Sequence, residues 1–281
     1  MVFQQCFVAS GLIAFLAFGC SVGANSSTEN ATQVVQESNV AQLFIEAKAT
    51  QKAEYFFHQG NNLLDAQRYE DAIKAYDKTI AIKAENSEAW INRGIALTSL
   101  QRYKDAIASY DKAIAIKPDK YEAWYNRGIA LTSLQRYKDA IASYDKAIAI
   151  KPDKYEAWYN RGIALTSLQR YKDAIASYDK AIAIKPDKYE ALINQGIALT
   201  KLHRYKDAIA AYDRAIAIKQ DLHQVYYNKA CSYALQSNIE LAIENLDKAI
   251  QLVPEKYKKL AKTDPDFSKV RSEKRFQKLL Q

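Results

Sequence analysis

The sequence predicts an all-α superhelical solenoid of six helix-turn-helix units with a C-terminal helical cap. The first observation behind this is periodicity. The 34 residues from Tyr121 to Lys154 recur without a change from Tyr155 to Lys188, and self-similarity at a fixed short period marks a stacked array. Carried outward, the same register gives units 53–86, 87–120, 121–154, 155–188, 189–222 and 223–256. The second is how the copies drift. The unit at Ser87 differs from the next only by Ser87 for Tyr121 and Ile91 for Tyr125, while the first, fifth and sixth diverge further. Terminal repeats face water on one side and are atypical for that reason. The third is composition: 8 Gly and 5 Pro in 281 residues favour helices, and 49% hydrophobic with 26% charged residues argues against disorder.

Taken in order, residues 1–28 carry no charged side chain, and Phe7 to Gly19 is an apolar run. It is short for a membrane span and has the length of a signal-peptide core. The stretch Leu16-Ala17-Phe18-Gly19-Cys20-Ser21 resembles a bacterial lipobox, which makes residues 1–20 a lipoprotein-type signal and Cys20 the lipidation site. An ordinary cleavage after Val22-Gly23-Ala24 and an uncleaved anchor are the alternatives, because the start lacks a Lys or Arg. Residues 21–38 are rich in Ser, Thr, Asn and Gln and read as a flexible tether. Asn25 and Asn30 stand in formal glycosylation triplets. Residues 39–52 form a helical lead-in, with Val40, Leu43, Phe44 and Ala47 at helical spacing.

Within the unit at Tyr155, Trp158, Gly162 and Leu165 share one face of a first helix, and Tyr171, Ala174, Tyr178 and Ala181 one face of a second. The short polar connection Ser167 to Tyr171 makes the two helices antiparallel neighbours. Gly162 and Ala174 allow close approach, Trp158 reads as the wedge that fills the remaining space, and Pro186 stops the second helix. On this reading Trp158→Ala costs roughly 3 to 5 kcal/mol. These columns resemble the tetratricopeptide repeat (TPR): Trp158, Gly162, Leu165, Ala174, Tyr178, Ala181 and Pro186, matched by Trp90, Gly94, Leu97, Ala106, Tyr110, Ala113 and Pro118. Phe56 and Ala84 in the first unit, Gln220 in the fifth and Ala230 in the sixth depart from the pattern.

The resemblance implies a concave groove lined by a second stripe on the first helices. That stripe includes Phe57 and Asn61, Ile91, Tyr125 and Ile129, Tyr159 and Ile163, Ile193, and Tyr227 with Cys231. Glu54, Glu88, Glu122, Glu156 and Glu190 run along one edge, and Asn92, Asn126, Asn160, Asn194 and Asn228 form an amide row beside it. Such a row can hydrogen-bond a partner's backbone while the apolar positions grip its side chains. The competing reading is that these residues only pack helix against helix. TPR domains that bind chaperone C-termini use a basic carboxylate clamp. Here Glu122 and Asn126 stand where the third repeat would need cations, so that mode is not expected.

The net charge of +8 is spread as mixed signs through the repeats, with +5 on residues 257–281, so no nucleic-acid partner is expected. Contact of the basic tail with an anionic membrane is a minor alternative. The tail reads as a cap, from the helical spacing of Tyr257, Leu260 and Ala261 and then Val270, Phe276, Leu279 and Leu280. His58, His203 and His223 are scattered and no catalytic or metal motif is present, so an enzyme, a cofactor and a metal are not expected. Cys231 reads as a small packed residue. The expectation is an adaptor of the cell envelope, held by a lipid anchor, that binds a peptide or a helix of another envelope protein in the groove. The alternative is an envelope assembly factor resembling the lipid-anchored pilotins in layout.

Overall fold

A computed structural model describes residues 26–281, so Cys20 and the signal-like run lie outside the described residues. By contacts the chain divides into Met1–Gln51 and Lys52–Gln281. Helix α1, Ser26–Asp65, begins in the first unit, and this corrects one expectation: the stretch read as a tether is helical from Ser26. The polar composition of residues 26–38 denies a helix a buried face but does not forbid one. The described side chains there stay exposed, and so do the large apolar ones that follow.

In the second unit the helices pair in order. They are α2 (Tyr69–Ile82), α3 (Ser87–Ser99), α4 (Tyr103–Ile116), α5 (Tyr121–Ser133), α6 (Tyr137–Ile150), α7 (Tyr155–Ser167), α8 (Tyr171–Ile184), α9 (Tyr189–Lys201), α10 (Tyr205–Ile218), α11 (His223–Leu235) and α12 (Ile239–Leu252). The C-terminal segment adds α13 (Pro254–Thr263), a 3-10 turn Pro265–Phe267 and α14 (Lys274–Leu279). Odd-numbered helices α3 to α11 touch the next odd-numbered helix, and the even-numbered ones do not approach each other to that extent. First helices therefore line the inner, concave side of the array.

Each first helix ends in the same turn. In the third repeat Gln135 N–H donates to the Thr132 carbonyl and Arg136 N–H to the Leu131 carbonyl, closing a Schellman motif. Its left-handed residue, Gln135 at φ 58°, occupies a position that normally selects glycine.

The core wedge is not the tryptophan. Tyr76, Tyr110, Tyr144, Tyr178 and Tyr212 are the large buried side chains, each lying flat on Gly60, Gly94, Gly128, Gly162 or Gly196 of the facing helix. Trp158 is half-buried, because its indole reaches out over the loop and donates Nε1–H to the Pro152 carbonyl at 3.0 Å. The sequence reading of Trp158 as the wedge is therefore corrected.

A second regularity ties the repeats together. Arg127 donates Nε–H to Asp111 of α4 and Nη1–H to Ser143 of α6, both at 2.7 Å, so one guanidinium joins three helices. Arg93 and Arg161 repeat this clip with Asp77 and Ser109, and with Asp145 and Ser177. Gln195 and Lys229 replace the arginine in the last two repeats, against Asp179 and Asp213.

Two main cores result. One runs from Ala72 to Val225; the other joins Tyr227, Leu246 and Ile250 to Tyr257, Phe267, Val270 and Phe276 of the C-terminal segment.

Candidate partner-binding groove

The sequence-predicted groove residues separate by exposure. Phe57, Asn61, Asn92, Tyr125, Asn126, Ile129, Tyr159, Asn160, Ile163, Asn194 and Asn228 are half-buried on the first helices. Ile91 at 5%, Ile193 at 4% and Tyr227 at 8% exposure are core residues, which corrects their placement in the groove. Ile91 is covered by Ala113 and Ala123 of the next helices, where the longer Tyr125 and Tyr159 reach beyond the same contact. Ile193 joins the main core.

Tyr227 is covered by the chain itself. Its ring stacks on Tyr257 at 4.8 Å and meets Phe267 edge-on, and its hydroxyl donates to Asp264 Oδ2 at 2.6 Å. Buried Cys231 lies beneath, its sulfur 4.0 Å from the same oxygen. Burial, with the charges of Asp264 and Asp266 beside it, pushes the Cys231 thiol up and keeps it from acting as a thiolate nucleophile. Cys231, Asp264 and Asp266 thus converge, but Asp264 is already used: Oδ2 accepts from the Tyr227 hydroxyl, and Oδ1 accepts from the Asp266 N–H that opens the 3-10 turn. The cluster pins the C-terminal segment onto repeat six.

In the middle repeats the amide row faces along the array. Asn160 Nδ2–H donates to the Tyr125 hydroxyl at 3.0 Å and Asn194 Nδ2–H to the Tyr159 hydroxyl at 3.1 Å. Asn92 donates to Asn61 Oδ1, which also accepts from Tyr76. These amides are partly spent on inter-repeat packing, as the competing reading expected. The phenols are not. Tyr125 and Tyr159 each accept one bond, and among the described residues none takes the proton either one donates. Burial raises both above the ordinary phenol range, so they keep that proton and act as donors.

Sequence reasoning missed the aromatic and cationic edge of this surface. Buried Tyr121 stacks on Tyr125 at 5.5 Å from beneath this edge, and Lys188 Nζ lies 5.9 Å from the Tyr155 ring centre and 5.5 Å from that of Tyr159. Lys151, Lys185 and Lys219 sit over Tyr121, Tyr155 and Tyr189. The signal was in the repeat, a Tyr at its first position and a Lys thirty residues on. The expected acidic edge is largely neutralised, since Glu88, Glu122 and Glu190 pair with Lys120, Lys151 and Lys188. These are exposed pairs of small energetic worth.

Family models described as tetratricopeptide repeat match residues 57–121, 121–154, 155–188, 189–222 and 223–256. The chain belongs to the tetratricopeptide-repeat family, whose fold is typically a non-catalytic scaffold for protein–protein interaction. Among curated proteins none matches. Of solved structures, it is similar to YrrB, described as a TPR protein with an unusual peptide-binding site. The identity is 26% over 65% of this chain and 94% of that one, with a TM-score of 0.60. It is also similar to MamA, at 24% identity over 60% of this chain and 93% of that one, TM-score 0.58. A third likeness, to PilF of Pseudomonas aeruginosa, spans 81% of this chain and all of that one at TM-score 0.62 and 16% identity, a likeness of fold alone.

Proposed function

We propose that the chain is a non-catalytic scaffold whose concave face, from Tyr125 to Asn194, holds an extended peptide segment of a partner protein. The observation that carries this is the pair of phenols, Tyr125 and Tyr159, one repeat apart, each accepting from the asparagine of the next repeat and, among the described residues, donating to none. A helix satisfies its own carbonyls internally, whereas an extended segment presents them. Two donors at repeat spacing therefore favour an extended guest, with Ile129 and Ile163 gripping its side chains. Peptide binding by the similar YrrB agrees with this reading.

The lipobox-like residues before Cys20 support a lipid-anchored place in the cell envelope, and there the partner is an envelope protein. Among the described residues no helix is long and apolar enough to cross a membrane. Photo-crosslinking in cells tests the groove, with a photoreactive phenylalanine at Ile129 or Ile163 and, as a control, at Ala108 or Ala142 on the outer helices. Partners captured from the inner positions alone support it; the same partners from both faces would overturn it. Loss of lipid labelling and of membrane fractionation in Cys20→Ser supports the anchor; unchanged fractionation refutes it.

A further inference from the structure

The largest feature left without a role is the free part of α1. Val40, Leu43 and Phe44 on one side of it, and Ile45 on another, are each more than 60% exposed, with Val34 nearly two turns before Val40. Lys48 folds back over the Phe44 ring at 4.5 Å but covers only one face. Contiguous apolar exposure on this scale marks an interaction surface. At the other end of the chain the comparable apolar side chains of repeat six are buried by α13 and α14.

Charge decides between occupants. Residues 26–52 contain Glu29, Glu37 and Glu46 against Lys48 and Lys52, a small acidic excess. A helix lying in a membrane interface carries a basic polar face that meets anionic lipid, and this one has no basic excess to offer. Along the axis the early charges are all acidic, Glu29 and Glu37, while the two lysines, Lys48 and Lys52, come late, beside Glu46 and Glu54.

We propose that α1 pairs antiparallel with α1 of a second copy of the chain, in an isologous contact whose two-fold axis passes near Leu43. Val40, Leu43, Phe44 and Ala47 share one exposed stripe of the helix, and an axis between Leu43 and Phe44 sets Val40 level with Ala47 and Leu43 level with Phe44 of the other copy. That placement brings Glu37 level with the segment between Lys48 and Lys52 of its mate. Parallel in-register pairing would set Glu37, Glu46, Lys48 and Lys52 each beside its own duplicate. One register thus satisfies both the apolar and the charged positions, and no other residue has to move, since the four apolar side chains already point to solvent.

Sedimentation velocity of the full chain over a hundredfold range of concentration tests this. Twice the monomer mass is expected for the wild type. Phe44→Glu is expected to give monomer with unchanged far-UV circular dichroism, because Phe44 contributes nothing to the repeats. Glu37→Lys is expected to weaken the dimer more than tenfold, and adding Lys48→Glu and Lys52→Glu to restore it, which only an antiparallel register allows. A wild type that stays monomeric, with or without binding to neutral lipid vesicles, overturns the proposal. So does a Phe44→Glu variant that dimerises as tightly as wild type, or a charge reversal that fails to rescue.

Discussion

Gly128→Ala is a stringent test of the packing. On an open helix surface the change stabilises, by roughly 1 kcal/mol of helix propensity. Here the added Cβ would lie 2.5 Å from Tyr144 Cε1, 2.7 Å from Cδ1 and 2.9 Å from Cζ, where carbon atoms rest at about 3.5–4.0 Å. The ring has to retreat by about 1 Å, yet Tyr144 is only 1% exposed and its hydroxyl is held to Thr132 at 3.1 Å. Overpacking of this kind costs about 1–3 kcal/mol, and loss of the hydroxyl link adds about 1 kcal/mol. After subtracting the propensity gain, a net loss of about 1–3 kcal/mol is expected. Guanidinium denaturation followed by circular dichroism measures it. In a Tyr144→Leu background the penalty should shrink, giving a coupling of about 1–2 kcal/mol. A Gly128→Ala variant as stable as wild type, or strictly additive penalties, would refute the reasoning.

Other substitutions probe different contacts. Gln135→Gly, at φ 58°, should stabilise by about 1 kcal/mol because an L side chain is strained there; a lower midpoint would contradict this. Trp158→Ala should cost about 2 kcal/mol, below the range for a buried aromatic, and Tyr178→Ala about 3–5 kcal/mol; thermal denaturation ranks the pair, and the reverse order counts against the assignment of the wedge. For Asp266, burial and then the neighbouring Asp264 charge raise the carboxyl above its ordinary value. The folded state therefore binds this proton more tightly than the unfolded one, and stability from this group falls as pH rises through the raised pKa. Asp266→Asn should melt higher than wild type at neutral pH, with the gap closing below about pH 4; a gap that widens in acid would reverse the sign.

The repeat boundaries and the helix pairing were legible because a 34-residue period leaves little freedom in register. The tyrosine wedge was not. Trp158 and Tyr178 both fall on inward faces by spacing, and only the flat contact of the ring with Gly162 decides which is enclosed. Tyr125 and Ile91 share one column of the repeat, yet one reaches the groove and the other is covered. Column position gives direction, and side-chain length decides arrival. Tyr227 was misplaced for another reason: its cover comes from Tyr257 and Asp264, outside the repeat register, where periodicity carries no information. The arginine clips stand in the sequence as a cation sixteen residues from an Asp and from a Ser, a spacing that charge pattern alone does not distinguish from mixed surface charge.

Where those clips change has a mechanical consequence. Between repeats five and six Lys229 replaces the forked guanidinium, Gln220 stands in the column that holds Pro in the middle repeats, and one core gives way to the other. Stability in an array is a sum of units and nearest-neighbour junctions, so a chain pulled at its ends parts first at its poorest junction. Stretched between its two ends, this one would break at α10 and α11, leaving the last repeat folded with its own cap while the repeats before it remain a continuous spring.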